Sequence, residues 1–311
     1  PARSPAGFTI VHVIPSSWGP FVDIRASYRS LARRRPWVHV LTPDEYRARQ
    51  NAWLWNDSAT TFVCWELIDP GPKYLRKSKV VHVYAEALDD DGTKLLPGHL
   101  AHWHRFKEMT VHFDAVLVHS PVAQQIVSRI GVPTYIMPVG WDEAAMGCPR
   151  WDAPKFLDLA YHGSCTGRRE VIVPYLKTQL GAKLTDLTGS FGRGLIAQLD
   201  TARASLYIAH SPVASFSTWR SWQTASTSAA MVAEPGDAWP FIAGEHYIEL
   251  ERFEMQTATR VVCQIQTIAE SHNRLTEIAG RAHEEIARVF TVDYVEDRYL
   301  VPAILGMMDQ A

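Results

Sequence analysis

Cysteine is scarce: the chain has four in 311 residues, at positions 64, 148, 165 and 263, and none fall in a Cys-x-x-Cys spacing. This excludes a disulfide scaffold and a cysteine-built zinc site, and it leads us to expect a reducing, cytoplasmic setting. Long apolar runs are missing too. No stretch approaches the roughly 18 residues a membrane span needs. The opening "PARSPAGFTI" lacks a signal peptide's charged and apolar regions, so no transmembrane segment or leader is expected. Charge of one sign is also lacking. The formal net charge is −2, with residues 1–150 at +3 and residues 151–311 at −5. That balance disfavours a dedicated nucleic-acid binder but permits a local basic patch.

What is present is an ordinary globular composition, 47% hydrophobic and 21% charged. The length is enough for about two domains. Short apolar runs alternate with helical patterns from the start: "FTIVHVI" (8–14), then Phe21, Ile24, Tyr28 and Leu31 at helical spacing, then runs at 37–41, 60–67, 79–86, 114–120 and 133–140. After the aperiodic "WDEAAMGCPRWDAPKF" the same grammar restarts. Strands are expected at 157–164, 182–190, 205–211 and 245–251, a helix over "GLIAQLDTARA", and two long helices at about 254–271 and 274–290. Strands separated by helices imply parallel, doubly wound sheets, so the expected fold is α/β with two Rossmann-like domains facing across a cleft. The expected boundaries are 1–145 and 146–290, with a C-terminal helix at 291–311 packing back on the first domain.

Ligands of open α/β sheets bind outside the carboxyl ends of the strands. In the second half those ends carry small and hydroxylated residues: Gly163, Ser164, Cys165 and Thr166, then Gly189 and Ser190, then His210 and Ser211, then Glu234. The loop "HGSCTGRRE" sets Gly, Ser and Thr before Arg168 and Arg169 at a helix start, a combination that can hold a phosphate. An N-capped helix with solvated arginines has the same sequence. "TWRSWQ" offers Arg220 and Gln223 one turn apart, beside Trp219. "TGSFGRG" is suited to a base-binding loop through Phe191, or to a plain turn.

Three stretches carry a family resemblance: "FDAVLVHSPVAQQIVSRIGVPTYIMPVGWDE", "LDLAYHGSCTGRRE" and "WRSWQTASTSAAMVAEP". They resemble the GT-B glycosyltransferases, in particular the CgeB-like and group 1 transferases. The likeness covers most of residues 113–290. It implies a nucleotide-sugar donor as substrate, no bound cofactor or metal, and a helix at 218–225 aimed at that donor. On the family's pattern Arg220 meets the diphosphate, Gln223 approaches the ribose and Glu234 lies near the donor site. Arg168 is taken with Arg220 to serve the leaving group, and Gly163, Ser164, Thr166, Arg169, Ser190, Phe191, His210, Ser211 and Trp219 are the further donor-site candidates. The chain departs from the pattern where Gln223 replaces a Glu, Ser228 a Gly, and Ser215 a second Glu.

An acceptor base is expected at a strand end of the first domain. Glu86 is the choice there, with Glu66 and His12 as alternatives. Trp18 and the basic segment "GPKYLRKSKV", with Lys73, Arg76 and Lys77, are the acceptor-side candidates. That segment and "RRR" (33–35) read either as solvated faces or as recognition of an anionic acceptor, modified DNA or a cell-surface polymer among them. Asp89 and Asp91 are read as a solvated loop, and His99, His102 and His104 lack the partners a zinc site needs. Two other functions fit the same fold: a sugar-nucleotide epimerase or hydrolase, and a non-catalytic binding module that has lost the family's carboxylates.

Overall fold

The computed structural model describes residues 3–15, 21–49, 57–70, 76–84, 97–210 and 218–308. These residues form two compact units, one running to Ala145 and resuming at Phe290, the other spanning Met146–Val289.

The first unit is a six-stranded parallel sheet. Its strands are β1 (Thr9–Val13), β2 (Val38–Leu41), β3 (Thr60–Cys64), β4 (Lys79–Tyr84), β5 (Ala115–Val118) and β6 (Thr134–Ile136), in the order β2-β1-β3-β4-β5-β6. Helices α1 (Phe21–Arg34) and α2 (Pro43–Arg49) follow β1 and β2, and α3 (Pro97–Met109), α4 (Pro121–Ser128) and α5 (Glu143–Met146) follow β4, β5 and β6. Strands covered on both faces read as unbroken apolar runs, and β1, β3 and β5 are buried at every position. Helix α1 buries Ile24, Tyr28 and Leu31, as their spacing predicts. Helix α4 starts where Ser120 Oγ accepts from the Ala123 amide at 3.1 Å with Pro121 beside it, a common N-terminal cap.

The C-terminal segment, α11 (Val292–Val295), a π turn (Glu296–Leu300) and α12 (Val301–Met308), belongs to this unit. Trp141 and Val292 are held by backbone hydrogen bonds of 2.8 and 2.7 Å. The basic run at 33–35 has a definite role here. Arg34 pairs with Asp142 at 2.8 Å and Asp293 at 2.5 Å, and Arg35 pairs with Asp293 and Asp297. Arg34 and Arg35 are therefore ion-pair partners within the fold, where the sequence suggested a solvated face or an anion site.

The second unit is a five-stranded parallel sheet, β7 (Leu157–Tyr161), β8 (Leu184–Asp186), β9 (Ala202–Tyr207), β10 (Ala230–Ala233) and β11 (Ile248–Glu249), in the order β11-β10-β9-β7-β8. Helices α6 (Arg169–Leu180), α7 (Gly192–Leu199), α8 (Thr218–Ala225), α9 (Ala258–Glu270) and α10 (His272–Val289) cover it. The expected helix through "GLIAQLDTARA" ends at Leu199. Asp200 caps it, and Ala202 already starts β9, whose alternation the helical reading had absorbed. The chain leaves β7 towards β8 on one side and reaches β9 on the other. The loops after β7 and β9 diverge at this switch point, where a crevice opens. Among the described residues no helix is long and apolar enough to cross a membrane.

Candidate functional site

The loop after β7 is organised around Gly163, whose φ of +130° is strained for any residue with a Cβ. A Cβ there would overlap the Arg220 guanidinium, which α8 lays against the glycine backbone. Downstream, Tyr161 OH donates to the Ser164 carbonyl at 3.1 Å. Thr166 Oγ1 lies 3.3 Å from Ser164 Oγ and 2.7 Å from His210 Nε2, joining the β7 loop to the end of β9.

Arg220 is the electrostatic centre of the site. Among the described residues it makes no ion pair with a carboxylate, and its Nη1 is buried without a hydrogen-bond partner. Burial, and then the neighbouring Arg169 cation, pull it down to about 10, which leaves it charged at neutral pH. Arg169 is 2% exposed and donates from Nε to the Ile208 carbonyl at 2.7 Å. Both guanidinium groups lie over the Tyr207 ring, at 5.5 Å for Arg169 and 5.8 Å for Arg220. Behind them His162 approaches Thr224 Oγ1 at 3.4 Å; burial and then the two arginines lower it to about 3, so it is neutral. Two buried cations with no carboxylate between them among the described residues are an arrangement that an anion stabilises.

Arg168 is placed differently from its neighbour. Its Nη1 and Nη2 bond both oxygens of Glu234, at 3.1 and 2.9 Å, and Glu234 is 0% exposed. The sequence offered Arg168 as a catalytic cation for the leaving diphosphate and Glu234 as a donor-site residue. The structure joins them to each other, because a buried carboxylate is strongly destabilised unless paired. Ser190 is half-buried, and Phe191 is 45% exposed at the start of α7. On α8, Gln223 is buried and Trp219 half-buried. Ser228 belongs to a separate buried knot: its amide donates to Asp200 at 2.9 Å, and its hydroxyl accepts from Lys155 Nζ at 2.6 Å.

In the first unit, Arg76 is not an acceptor-side cation. It pairs with Asp114 at 2.7 Å, and it bonds the carbonyls of Ser78, at 2.8 Å, and His112. Lys77 beside it is exposed. His12 is fully buried, accepting from Trp65 Nε1 at 3.2 Å and lying 3.4 Å from the equally buried Glu296. It is thus closed off from any strand-end site, whereas Glu66 is half-buried at the end of β3. Glu86, Ser211, Trp18 and Lys73, with Ser215, Asp89 and Asp91, lie outside the described residues. Sequence reasoning missed Tyr207, His162 and Thr224. The first two stand at strand ends and were legible by the same rule that selected Gly163 and His210. Among the described residues no group of three His, Cys, Asp or Glu side chains is arranged to hold a metal ion.

The fold is that of the GT-B glycosyltransferases, two Rossmann-like units of parallel strands with helices. Particular solved structures share it. Sucrose-phosphate synthase from Thermosynechococcus elongatus matches with a TM-score of 0.68 at 12% identity, over 98% of this chain and all of its own. HepE from Anabaena, solved with UDP and glucose, matches at 0.62 and 11%, over 98% of this chain and 100% of HepE. TarM matches at 0.58 and 9%, over 81% of this chain but 56% of TarM, so the chain spans just over half of TarM's length. No protein-family model and no curated protein matches the sequence itself.

Proposed function

We propose that the chain is a glycosyltransferase that holds a nucleoside-diphosphate sugar at the β7–β9 switch point and transfers the sugar to an acceptor. The observation that carries this reading is Arg220, a buried cation with no counter-ion among the described residues, seated on a glycine where the strand-end loops diverge. Neighbours of the same fold support the donor class: HepE has been solved with UDP-glucose, and the pneumococcal O-GlcNAc transferase GtfA with UDP and GlcNAc.

In the proposed reaction the bond between the anomeric carbon and the diphosphate oxygen breaks, and the acceptor oxygen bonds to that carbon. The proton leaves the acceptor for a base, Glu86 in our reading. Arg220, with Arg169 behind it, stabilises the charge that grows on the departing diphosphate; such fixed electrostatic stabilisation is usually the largest catalytic term. Ser164 and Thr166 bond phosphate oxygens, Gln223 a ribose hydroxyl, and Phe191 stacks on the base. The chemistry needs no resident metal, and the setting is cytoplasmic. The acceptor is unassigned. With Arg76 tied to Asp114, Lys77 and Lys73 remain of the basic set for an anionic acceptor such as modified DNA. Gln223, neutral and buried where the resembling family has a carboxylate, favours one second reading, a module that binds the nucleotide without turnover.

A thermal-shift screen against UDP, GDP, ADP, CDP and dTDP tests the donor site. Ligand at 100 times its Kd adds about 2.7 kcal/mol of stability. A shift with one nucleotide family supports the reading, and release of that diphosphate from its sugar ester in the presence of acceptor separates enzyme from binding module. No shift with any nucleotide refutes it.

A further inference from the structure

We infer that Arg168 and Glu234 are a pair of positioning residues. They lock the loops of the candidate anion site into register, and neither touches the ligand. The inference rests on the donor-site reading for what the loops hold, but its geometry stands without it.

The pair is closed on itself. Glu234 Oε1 accepts from Arg168 Nη2 at 2.9 Å and from the Phe253 amide at 2.7 Å; Oε2 accepts from Arg168 Nη1 at 3.1 Å and from the Ala209 amide at 2.6 Å. Arg168 returns bonds to the carbonyls of the same two residues, from Nη2 to Phe253 at 2.7 Å and from Nη1 to Ala209 at 3.2 Å. Each carboxylate oxygen thus has two donors, and each terminal guanidinium nitrogen has two acceptors. A phosphate could displace this arrangement only by leaving a buried carboxylate unpaired.

The four chain segments so joined follow β7, β9, β10 and β11, which are successive strands of the sheet. One ion pair therefore ties together the carboxyl ends of four strands, where a parallel sheet has no ladder hydrogen bonds left to hold its loops. The loops that it ties are those of the site. The Arg168 amide donates to the His210 carbonyl at 3.2 Å, His210 meets Thr166, and the adjacent Arg169 takes the Ile208 carbonyl. A shift of Arg168 moves Thr166, Arg169 and His210 together.

The test compares wild type with Arg168→Leu and with the double variant Arg168→Leu/Glu234→Leu. The measurements are melting temperature, affinity for inorganic pyrophosphate by calorimetry, and hydrogen exchange at the Arg168 and Arg169 amides, which bond to His210 and Thr166 and not to Glu234. The single variant strands a buried carboxylate and melts earlier. The double variant removes both charges and recovers most of that melting temperature, yet it binds pyrophosphate at least tenfold more weakly and exchanges those amides at least tenfold faster. A double variant with wild-type exchange overturns the inference, whatever its affinity. Wild type that binds no pyrophosphate and no nucleotide refutes the donor-site reading instead, and exchange still decides the clasp. If the double variant fails to fold, Arg168→Lys serves: it keeps the charge but loses the two-pronged contact, and it should fold and still exchange faster.

Discussion

Replacing Gly163 with alanine isolates the feature on which the site depends. Two costs add. Holding an alanine at a positive-φ position that glycine visits freely costs roughly 1–3 kcal/mol, and the new Cβ falls on the Arg220 guanidinium, which must move off the loop. The first cost has an internal control in Gly181, at φ +54°, where a Cβ meets nothing within 4 Å. Gly181→Ala should lower stability by that strain alone and leave nucleotide affinity unchanged. Gly163→Ala should lower stability further. It should also weaken binding of whichever diphosphate the screen selects, because a charge-assisted hydrogen bond is worth about 1.5–3 kcal/mol, or roughly 10- to 150-fold in Kd. Chemical denaturation gives the stabilities and calorimetry the affinities. Equal affinities for the two variants would refute the placement of Arg220 in the binding site.

Acid should unfold the protein through its buried neutral histidines. Burial first of all lowers His82 to about 3, His119 to about 4 and His162 to about 3 from an ordinary 6.5. The unfolded chain therefore binds more protons, so stability is full above pH 6.5 and falls as pH drops towards those values. Each group costs about 3 kcal/mol at pH 4, and two of them sit in the first unit, so that unit should melt first in an acid titration followed by circular dichroism. A flat stability profile between pH 7 and 4 would contradict this. Arg76→Ala should destabilise the first unit by about 2–4 kcal/mol, through loss of the Asp114 pair and two carbonyl bonds, while leaving acceptor affinity unchanged. A loss of acceptor affinity without a loss of stability would restore Arg76 to the acceptor side. Asp200→Ala should cost about 2–3 kcal/mol in denaturant unfolding, because it removes the acceptor of the Ser228 amide and hydroxyl.

The order of strands and helices was legible because buried parallel strands leave apolar runs and α1 leaves its 3.6-residue spacing, both local properties. The strand ends that carry the candidate site were legible for a similar reason, since small polar residues after strands stand out. What each arginine does was not. Arg168 and Arg169 are neighbours in sequence, yet one faces Glu234, 66 positions away, and the other faces the Ile208 carbonyl, while Arg220 pairs with no carboxylate among the described residues. That division is set by tertiary placement of single carboxylates. Arg34, Arg35 and Arg76 illustrate the same limit: a basic run looks alike in sequence whether its partners are water or Asp142, Asp293, Asp297 and Asp114. The end of α7 was misplaced because "DTARA" suits a helix until Asp200 is buried as a partner for Ser228.

The measurement that tests the central claim most directly is a cycle of four affinities: the selected nucleoside diphosphate and its parent nucleoside, each against wild type and Arg220→Ala. If Arg220 meets the diphosphate, wild type binds the diphosphate far more tightly than the nucleoside, and the variant loses about 10- to 150-fold of that advantage while binding the nucleoside unchanged. An advantage that survives intact in Arg220→Ala would contradict the account.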